Sequence, residues 1–145
     1  MLIREAEKKD LSALLTLYAQ LHPTGTPDRD EKTEATFHKM LADPDHHVLL
    51  AEEDGRTVSS CVCVIVPNLT HDGRPYALIE NVVTDAAYRK KGFGTAVLRA
   101  AGQIAEKEHC YKLMLLTGAK DEATLNFYER AGFNRKDKTA FIRWL

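Results

Sequence analysis

A short basic stretch that contains two glycines, Arg-Lys-Lys-Gly-Phe-Gly, occupies positions 89–94. It follows a run of strand-forming residues that ends at Thr84, and it precedes an amphipathic stretch from Thr95 to about Lys107. Glycines let a backbone approach a ligand closely, and the free N–H groups at the start of a helix point toward anions. Three cations add electrostatic attraction. The spacing therefore predicts a backbone-built site for a diphosphate at this strand-to-helix junction.

A single carboxylate, Glu80, interrupts the otherwise apolar run that leads toward this turn. Successive side chains of a strand alternate between its two faces, so strict alternation puts Glu80, Val82 and Thr84 on one face and Asn81 on the other. A β-bulge, which adds one residue to a strand, would change the assignment of Asn81. A carboxylate in this position can bind or deprotonate an amine, or it can simply face solvent at a strand end.

The composition is that of a globular chain, and its 145 residues are enough for one ordinary domain, which we expect to span 1–145. The formal net charge is −1, so nothing indicates a nucleic-acid-binding surface. No apolar run approaches the roughly 18–20 residues of a membrane span, and the N-terminus lacks a secretory pattern, which predicts a cytoplasmic protein. The three cysteines lack the spacing of a zinc site and are interpreted as buried thiols.

The hydrophobic pattern predicts an α/β (α+β) layout with mixed strand directions. Its two periods, about 2 in some segments and about 3.6 in others, separate strands from helices. The predicted strands are Met1–Arg4, Val48–Glu52, Val58–Val66, Tyr76–Thr84, Lys112–Leu116 and Thr139–Leu145, and the predicted helices are 10–21, 31–42, 95–107 and 121–131.

A second segment, Asn-Phe-Tyr-Glu-Arg-Ala-Gly-Phe at 126–133, follows the glycine turn by some thirty residues. Together the two segments resemble the acetyl-CoA-binding signatures of the GNAT superfamily of N-acetyltransferases. Within it, residues 79–83 and Cys110-Tyr111-Lys112 are similar to glucosamine-6-phosphate N-acetyltransferases. The resemblance implies the GNAT fold, a mixed and mostly antiparallel central sheet of about six to seven strands flanked by about four helices.

The resemblance also implies acetyl-CoA as cosubstrate, with no metal. The backbone of 89–95 would hold the pyrophosphate, while Val82 and Thr84 would pair through their backbones with the pantetheine arm. The N–H of Val82 would lie near the thioester carbonyl, Tyr128 near the sulfur, and Asn126 beside the pantetheine. The residues assigned to the cofactor in this way are Val82, Val83, Thr84, Arg89, Lys90, Lys91, Gly92, Phe93, Gly94, Thr95, Asn126 and Tyr128.

Two residues are candidates for the chemistry that this resemblance implies. Tyr128 is suited to protonate the departing thiolate, because the pKa of a phenol, about 10, matches that of an alkyl thiol. The alternative for Tyr128 is a core tyrosine beside Phe127. Glu80 could deprotonate the amine, directly or through water, or bind it electrostatically without moving a proton.

Candidate acceptor-binding residues come from the loop before the predicted helix 31–42 and from the connection before the Glu80 strand. Asp28 and Asp30, in the loop Thr24–Asp30, suit a cationic substrate. His71 and Arg74 precede the Glu80 strand, where Arg74 could bind a phosphate or carboxylate or could be a solvated loop residue. Asn81 is a further candidate.

Three functions remain open at this stage. The first is an N-acetyltransferase acting on the primary amine of a small molecule, such as an amino sugar, aminoglycoside, polyamine or amino acid. The second is a protein acetyltransferase acting on an N-terminus or a lysine. The third is a non-catalytic module that binds acetyl-CoA and reports it to a partner. A homodimer is the assembly that the resemblance suggests.

Overall fold

The computed structural model describes residues 1–21 and 28–145, which form a five-stranded sheet with helices on both faces. No helix in these residues is long and apolar enough to cross a membrane. The strands are β1 (Leu2–Glu5), β2 (His46–Glu53), β3 (Arg56–Val66), β4 (Tyr76–Thr84) and β5 (Leu113–Leu115). The helices are α1 (Leu11–Leu21), α2 (Glu31–Ala42), α3 (Thr70–Gly73), α4 (Phe93–Lys107) and α5 (Glu122–Arg130).

The strands lie in the order β1-β2-β3-β4-β5. The first four pair antiparallel, and β4 pairs parallel with β5. A parallel pair needs a crossover connection, which α4 supplies as it runs back along the sheet. The mixed strand directions predicted from the sequence are therefore confirmed. The glycine turn lies between β4 and α4, at the start of this crossover.

Two apolar clusters, one on each face, hold the layers together. On one face α1 and α2 pack on β2 and β3, with Leu14 and Phe37 buried against Leu50 and Val62. On the other face α4 and α5 pack on the centre of the sheet. In α4, Val97 and Ala101 are fully buried, one turn apart, because positions four apart share a helix face. β3 and β4 are thus covered on both sides.

The start of α1 is anchored by a charged cluster. The two terminal guanidinium nitrogens of Arg4 donate to the carboxylate of Asp10, at 2.7 and 2.8 Å, and one of them also contacts Glu52. The hydrogen bond from Arg4 holds the pKa of the buried Asp10 carboxyl below its usual range. This cluster ties α1 to β1 and β2, and it fixes the helix that later reaches β4.

The predicted sixth strand, Thr139–Leu145, has no regular secondary structure, so the predicted count of six to seven strands is too high. A strand forms only where a neighbouring strand takes up its hydrogen bonds, and no described residue pairs with this segment. Its alternating apolar pattern is real, but Phe141 and Trp144 are 91% and 89% exposed. The four predicted helices are present, and α3 is an additional single turn.

Candidate active site

An open cleft lies between the C-terminal part of β4, the start of α4 and α5. It exists because β5 pairs only with Ala77–Ile79 and ends at Leu115, whereas β4 continues to Thr84. Beyond Ile79 the β5-side edge of β4 therefore has no strand partner among the described residues. Backbone N–H and C=O groups on such an edge are available to an extended ligand.

A β-bulge divides β4 into two halves. Val62 pairs with Glu80 and Ser60 pairs with Val83, so Cys61 of β3 opposes both Asn81 and Val82. Asn81 has a left-handed backbone, with φ 52°. An extra residue of this kind interrupts the hydrogen-bond ladder and reverses the alternation of the residues that follow. The backbone of Val82 is consequently outside the regular ladder.

The bulge makes the strict alternation predicted for Glu80, Val82 and Thr84 wrong. Glu80 lies opposite Val62 and so faces the layer of α1 and α2. Val82 packs against the cluster of α4 and α5, and the hydroxyl of Thr84 lies 2.8 Å from that of Ser59 on the same side. Glu80 and Val82 thus belong to opposite faces of the sheet.

The glycine turn leads directly into the first turn of α4. Gly92 has φ 90° and Lys90 has φ 62°, conformations that reverse the chain just before the helix. The first hydrogen bond that closes the helix runs from the N–H of Ala96 to the carbonyl of Gly92, at 2.9 Å. The N–H groups of residues 93–95 therefore have no partner within the helix, which is the arrangement that favours a bound phosphate.

Gly94 is where α4 approaches β4 and α5 most closely. A Cβ atom at this position would lie 3.1 Å from Cζ of Phe127 and 3.2 Å from Oγ1 of Thr84. Both distances are shorter than an ordinary van der Waals contact between such atoms. Glycine at 94 therefore allows the glycine turn and α5 to meet across the cleft.

Tyr128 lies half-buried on α5 and faces the cleft. Its ring contacts Phe127, at 5.0 Å between centroids, and Phe133, at 6.3 Å and nearly perpendicular. Burial raises the pKa of its hydroxyl, which keeps the phenol protonated across the neutral range. No described residue accepts a hydrogen bond from this hydroxyl, so the proton is available to a ligand.

Most of the predicted cofactor residues meet at this cleft. The exception is Lys91, whose ammonium lies outside it, 4.9 Å from the ring centroid of Tyr88. The predicted residues that line the cleft are Val82, Val83, Thr84, Arg89, Lys90, Gly92, Phe93, Gly94, Thr95, Asn126 and Tyr128. Their roles stay predictions, whereas their convergence is a property of the fold.

The predicted acceptor residues do not share one place. Asp30 caps α2, where its carboxylate accepts the N–H of Thr33 at 2.8 Å, and Asp28 is exposed just before it. The rest of the predicted Thr24–Asp30 loop, 24–27, lies outside the described residues. His71 stacks on Tyr111 with 3.8 Å between ring centroids.

Arg74 lies at the opposite end of β4 from the glycine turn. Its guanidinium donates to the backbone carbonyls of His109 and Cys110, each at 3.0 Å. These bonds tie the start of β4 to the turn before β5. Neither Arg74 nor His71 lines the cleft. Glu80 and Asn81 are exposed next to the cleft, beside the bulge.

Two residues of α1 that the sequence did not single out also line the cleft, Gln20 and Leu21. The side-chain oxygen of Gln20 accepts the N–H of Ala86, 2.9 Å away in the turn after β4. The helical pattern indicated that α1 packs on the sheet, but no local signal indicated which strand its last turn would reach.

Comparison with known proteins decides the family. Residues 11–133 match the model of the acetyltransferase (GNAT) family. The chain belongs to the GNAT family. It is therefore an acyltransferase by family, and the resemblance read from the glycine turn and the 126–133 segment is confirmed. The cosubstrate of GNAT enzymes is acetyl-CoA.

Three similar proteins illustrate the range of the family. Glucosamine 6-phosphate N-acetyltransferase of Trypanosoma brucei brucei is 31% identical over 136 residues, which are 94% of this chain and 90% of that protein. A solved structure from Agrobacterium tumefaciens str. C58, named as an acetyltransferase, is 42% identical with a TM-score of 0.93, covering 99% of this chain and 100% of its own. The structure of AAC(6')-Iy with a CoA-containing bisubstrate analogue has a TM-score of 0.82 over 99% of this chain and 97% of its own, but at 20% identity it shows the fold alone.

The close packing at Gly94 gives a first prediction. We expect Gly94→Ala to lower the melting temperature and to weaken acetyl-CoA binding several-fold, because the added methyl must displace Phe127 or Thr84. Gly102→Ala is the matched control in the same helix, since a Cβ there meets no atom within 4 Å. Alanine at an open helical position stabilises by about 0.5–1 kcal/mol. Thermal unfolding and titration calorimetry measure both effects, and equal behaviour of the two variants would contradict the packing argument.

Proposed function

We propose that this protein transfers the acetyl group of acetyl-CoA to a primary amine of a small molecule, by direct attack in a ternary complex. The observation that carries the proposal is the convergence of three groups on one cleft. These are the open first turn of α4, the unpaired edge of β4 and the protonated phenol of Tyr128. Each of the three meets one requirement of acetyl transfer from a thioester.

The cleft offers a suitable group for each part of acetyl-CoA, from the pyrophosphate to the thioester. The N–H groups of residues 93–95, together with Arg89 and Lys90, would bind the pyrophosphate, because a helix N-terminus and nearby cations both favour a polyanion. The edge of β4 at Val82–Thr84 would bind the pantetheine amides in the manner of an added strand. The half-buried phenol of Tyr128 lies across the cleft from that edge.

The residues around the thioester would each perform one part of the reaction. The N–H of Val82, free of the ladder, would donate to the carbonyl oxygen as negative charge develops there. Glu80, directly or through a water molecule, would take a proton from the ammonium of the acceptor, so that the neutral amine can attack the thioester carbonyl. Tyr128 would donate its proton to the sulfur as the new C–N bond forms and the C–S bond breaks.

The bulge separates these proton transfers in space. Glu80 faces the layer of α1 and α2, whereas Tyr128 belongs to the layer of α4 and α5. The amine would therefore approach β4 from one face of the sheet, and the thiolate would leave on the other.

An amino sugar phosphate is the acceptor that the surroundings of Glu80 support best. On the same face of β4, Tyr76 lies four residues away, a distance of about 13 Å along a strand. The ammonium of Lys112 lies 5.1 Å from the ring centroid of Tyr76 and 5.4 Å from that of Tyr111. A ring that stacks on a tyrosine and carries a phosphate near Lys112 could present its amine toward Glu80. The named function of the trypanosomal relative agrees with this choice.

Replacement of Tyr128 by phenylalanine tests the proposed chemistry. We expect Tyr128→Phe to lower kcat by about 100-fold, because it removes the proton donor and keeps the ring. Acetyl-CoA affinity should change less than twofold. Tyr88→Phe, which removes a second hydroxyl from the same cleft, is the matched control and should keep kcat.

The assay follows thiol release with acetyl-CoA and a panel of amino sugars, aminoglycosides, polyamines and peptides. Equal turnover of the two tyrosine variants would remove Tyr128 from its role. Turnover with peptides alone would replace the small-molecule proposal by protein acetylation, and cofactor binding without turnover of any amine would favour a non-catalytic module.

Replacement of Lys112 tests the proposed acceptor class. We expect Lys112→Met to raise KM for glucosamine 6-phosphate about tenfold and to leave KM for glucosamine unchanged, since only the phosphate would contact the ammonium. Lys107→Met, at the exposed end of α4, is the matched control. An equal change of KM for both sugars would contradict a phosphate-binding role of Lys112.

We also propose that two copies of the chain associate through the C-terminal segment 139–145. Its apolar side chains are exposed, with Ile142 at 61% and Leu145 fully accessible, and the outer edge of β5 has no strand partner among the described residues. The segment 139–145 of one copy could pair with the outer edge of β5 in another copy. Each would supply the hydrogen-bonding groups that the other lacks. A second copy would supply both.

Light scattering tests the assembly. We expect the full chain to have twice its monomer mass of 16.3 kDa, and a variant with Phe141→Ser and Trp144→Ser to have the monomer mass. A variant with Lys136→Ser and Lys138→Ser, changed at polar positions just before this segment, should remain dimeric. A monomeric full chain at micromolar concentration would contradict the proposal.

A further inference from the structure

The last two turns of α1 contact β4 at both ends of the bulged segment. At one end, the side chain of Tyr18 reaches Asn81. At the other end, Gln20 accepts the N–H of Ala86 at 2.9 Å. The residues between these two contacts, 82–84, form the edge that lines the cleft. A helix that is distant in sequence therefore holds the cofactor-facing part of β4 from both sides.

Tyr18 has a polar environment inside an apolar layer. Its ring packs against the buried cluster that contains Val62 and Phe37. Its hydroxyl lies close to the side chains of Ser60 and Asn81, and burial raises the pKa of the phenol to about 12. Ser60 is fully buried and its Oγ has no hydrogen-bond partner among the described residues, while the Tyr18 hydroxyl is a polar group that lies near it. Tyr18 is therefore placed to satisfy a buried hydroxyl and to hold Asn81 at once.

The backbone of Asn81 needs such support. Its φ of 52° lies in the left-handed region, which costs a non-glycine residue energy even though asparagine tolerates it better than most. If Asn81 relaxed to an extended conformation, the extra residue would move along the strand and the backbone of Val82 would turn. Strained positions of this kind persist only where neighbouring contacts favour them.

We propose that Tyr18 is a positioning residue whose hydroxyl holds Asn81 in the left-handed conformation, and thereby aims the N–H of Val82 at the thioester carbonyl. The inference rests on the proposed function, because the N–H of Val82 serves catalysis only if acetyl transfer takes place at this cleft. It differs from a packing role for Tyr18, which the aromatic ring alone would fulfil.

The kinetic test is a double-mutant cycle. We expect Tyr18→Phe to lower kcat about tenfold, with acetyl-CoA affinity within twofold of wild type, because a misaimed oxyanion donor affects the reaction more than the ground state. Glycine adopts a positive φ without cost, so Tyr18→Phe should lower kcat less than twofold when Asn81→Gly is the background. Thr16→Val, which removes another α1 hydroxyl, is the control and should keep kcat.

A measurement without substrate separates this inference from the proposed function. In the ligand-free protein, NMR shifts of the Asn81 Cα and the Val82 amide should change in Tyr18→Phe toward values of an extended strand, and should not change in Thr16→Val. If the wild type acetylates no amine, the proposed function fails and these shifts still decide whether Tyr18 holds the bulge. Unchanged shifts, or an equal loss of kcat in both Asn81 backgrounds, would overturn the inference.

Discussion

The rest of the site depends on one extra residue in β4. Because Cys61 opposes both Asn81 and Val82, the strand presents Glu80 to one layer of helices and Val82 with Thr84 to the other. Without that residue, the candidate base and the pantetheine edge would face the same layer. The early end of β5 then exposes the edge of the second half only. The bulge and the early end of β5 together leave the backbone edge of β4 accessible. On one face of that strand lies Glu80, and on the other face lie Val82 and Thr84.

The proposed cofactor site relies on backbone groups more than on side chains. The first turn of α4 and the edge of β4 offer N–H and C=O groups, and the side chains that matter there mainly permit close approach, as glycine does at Gly94. The cations of the glycine turn are local, since the chain as a whole carries a formal charge of −1. The proposed recognition of the acceptor differs, because it would depend on side chains on the other face of the sheet, such as Glu80, and on Lys112 beside Tyr76. The two tasks can therefore vary independently in one fold.

The sequence predicted those parts of the structure that depend on local backbone chemistry. A glycine turn after a strand carries its own conformational signal, so the anion-binding turn at 89–94 was predicted from the residues themselves, whereas the cleft residues of 126–133 were assigned through the resemblance to the GNAT superfamily. The face of Glu80 was predicted wrongly, because a bulge depends on cross-strand register and Asn81 is only a weak signal of a positive φ. The strand predicted at 139–145 has the right alternation, but alternation describes a residue's fit to a sheet and not whether a partner strand is present.

The contribution of α1 was beyond reach of the sequence for a different reason. Tyr18 and Asn81 are 63 positions apart, and the helical pattern of α1 fixes only which of its faces is buried. At its start α1 is anchored to β1 and β2 by the ion pairs of Arg4 with Asp10 and Glu52. A rotation of α1 about that anchor would move the Tyr18 hydroxyl away from Ser60 and Asn81. If Tyr18 positions Asn81 as we propose, the geometry of the cleft depends partly on a charged cluster at the far end of α1, and the pattern of the cleft residues alone cannot indicate that dependence.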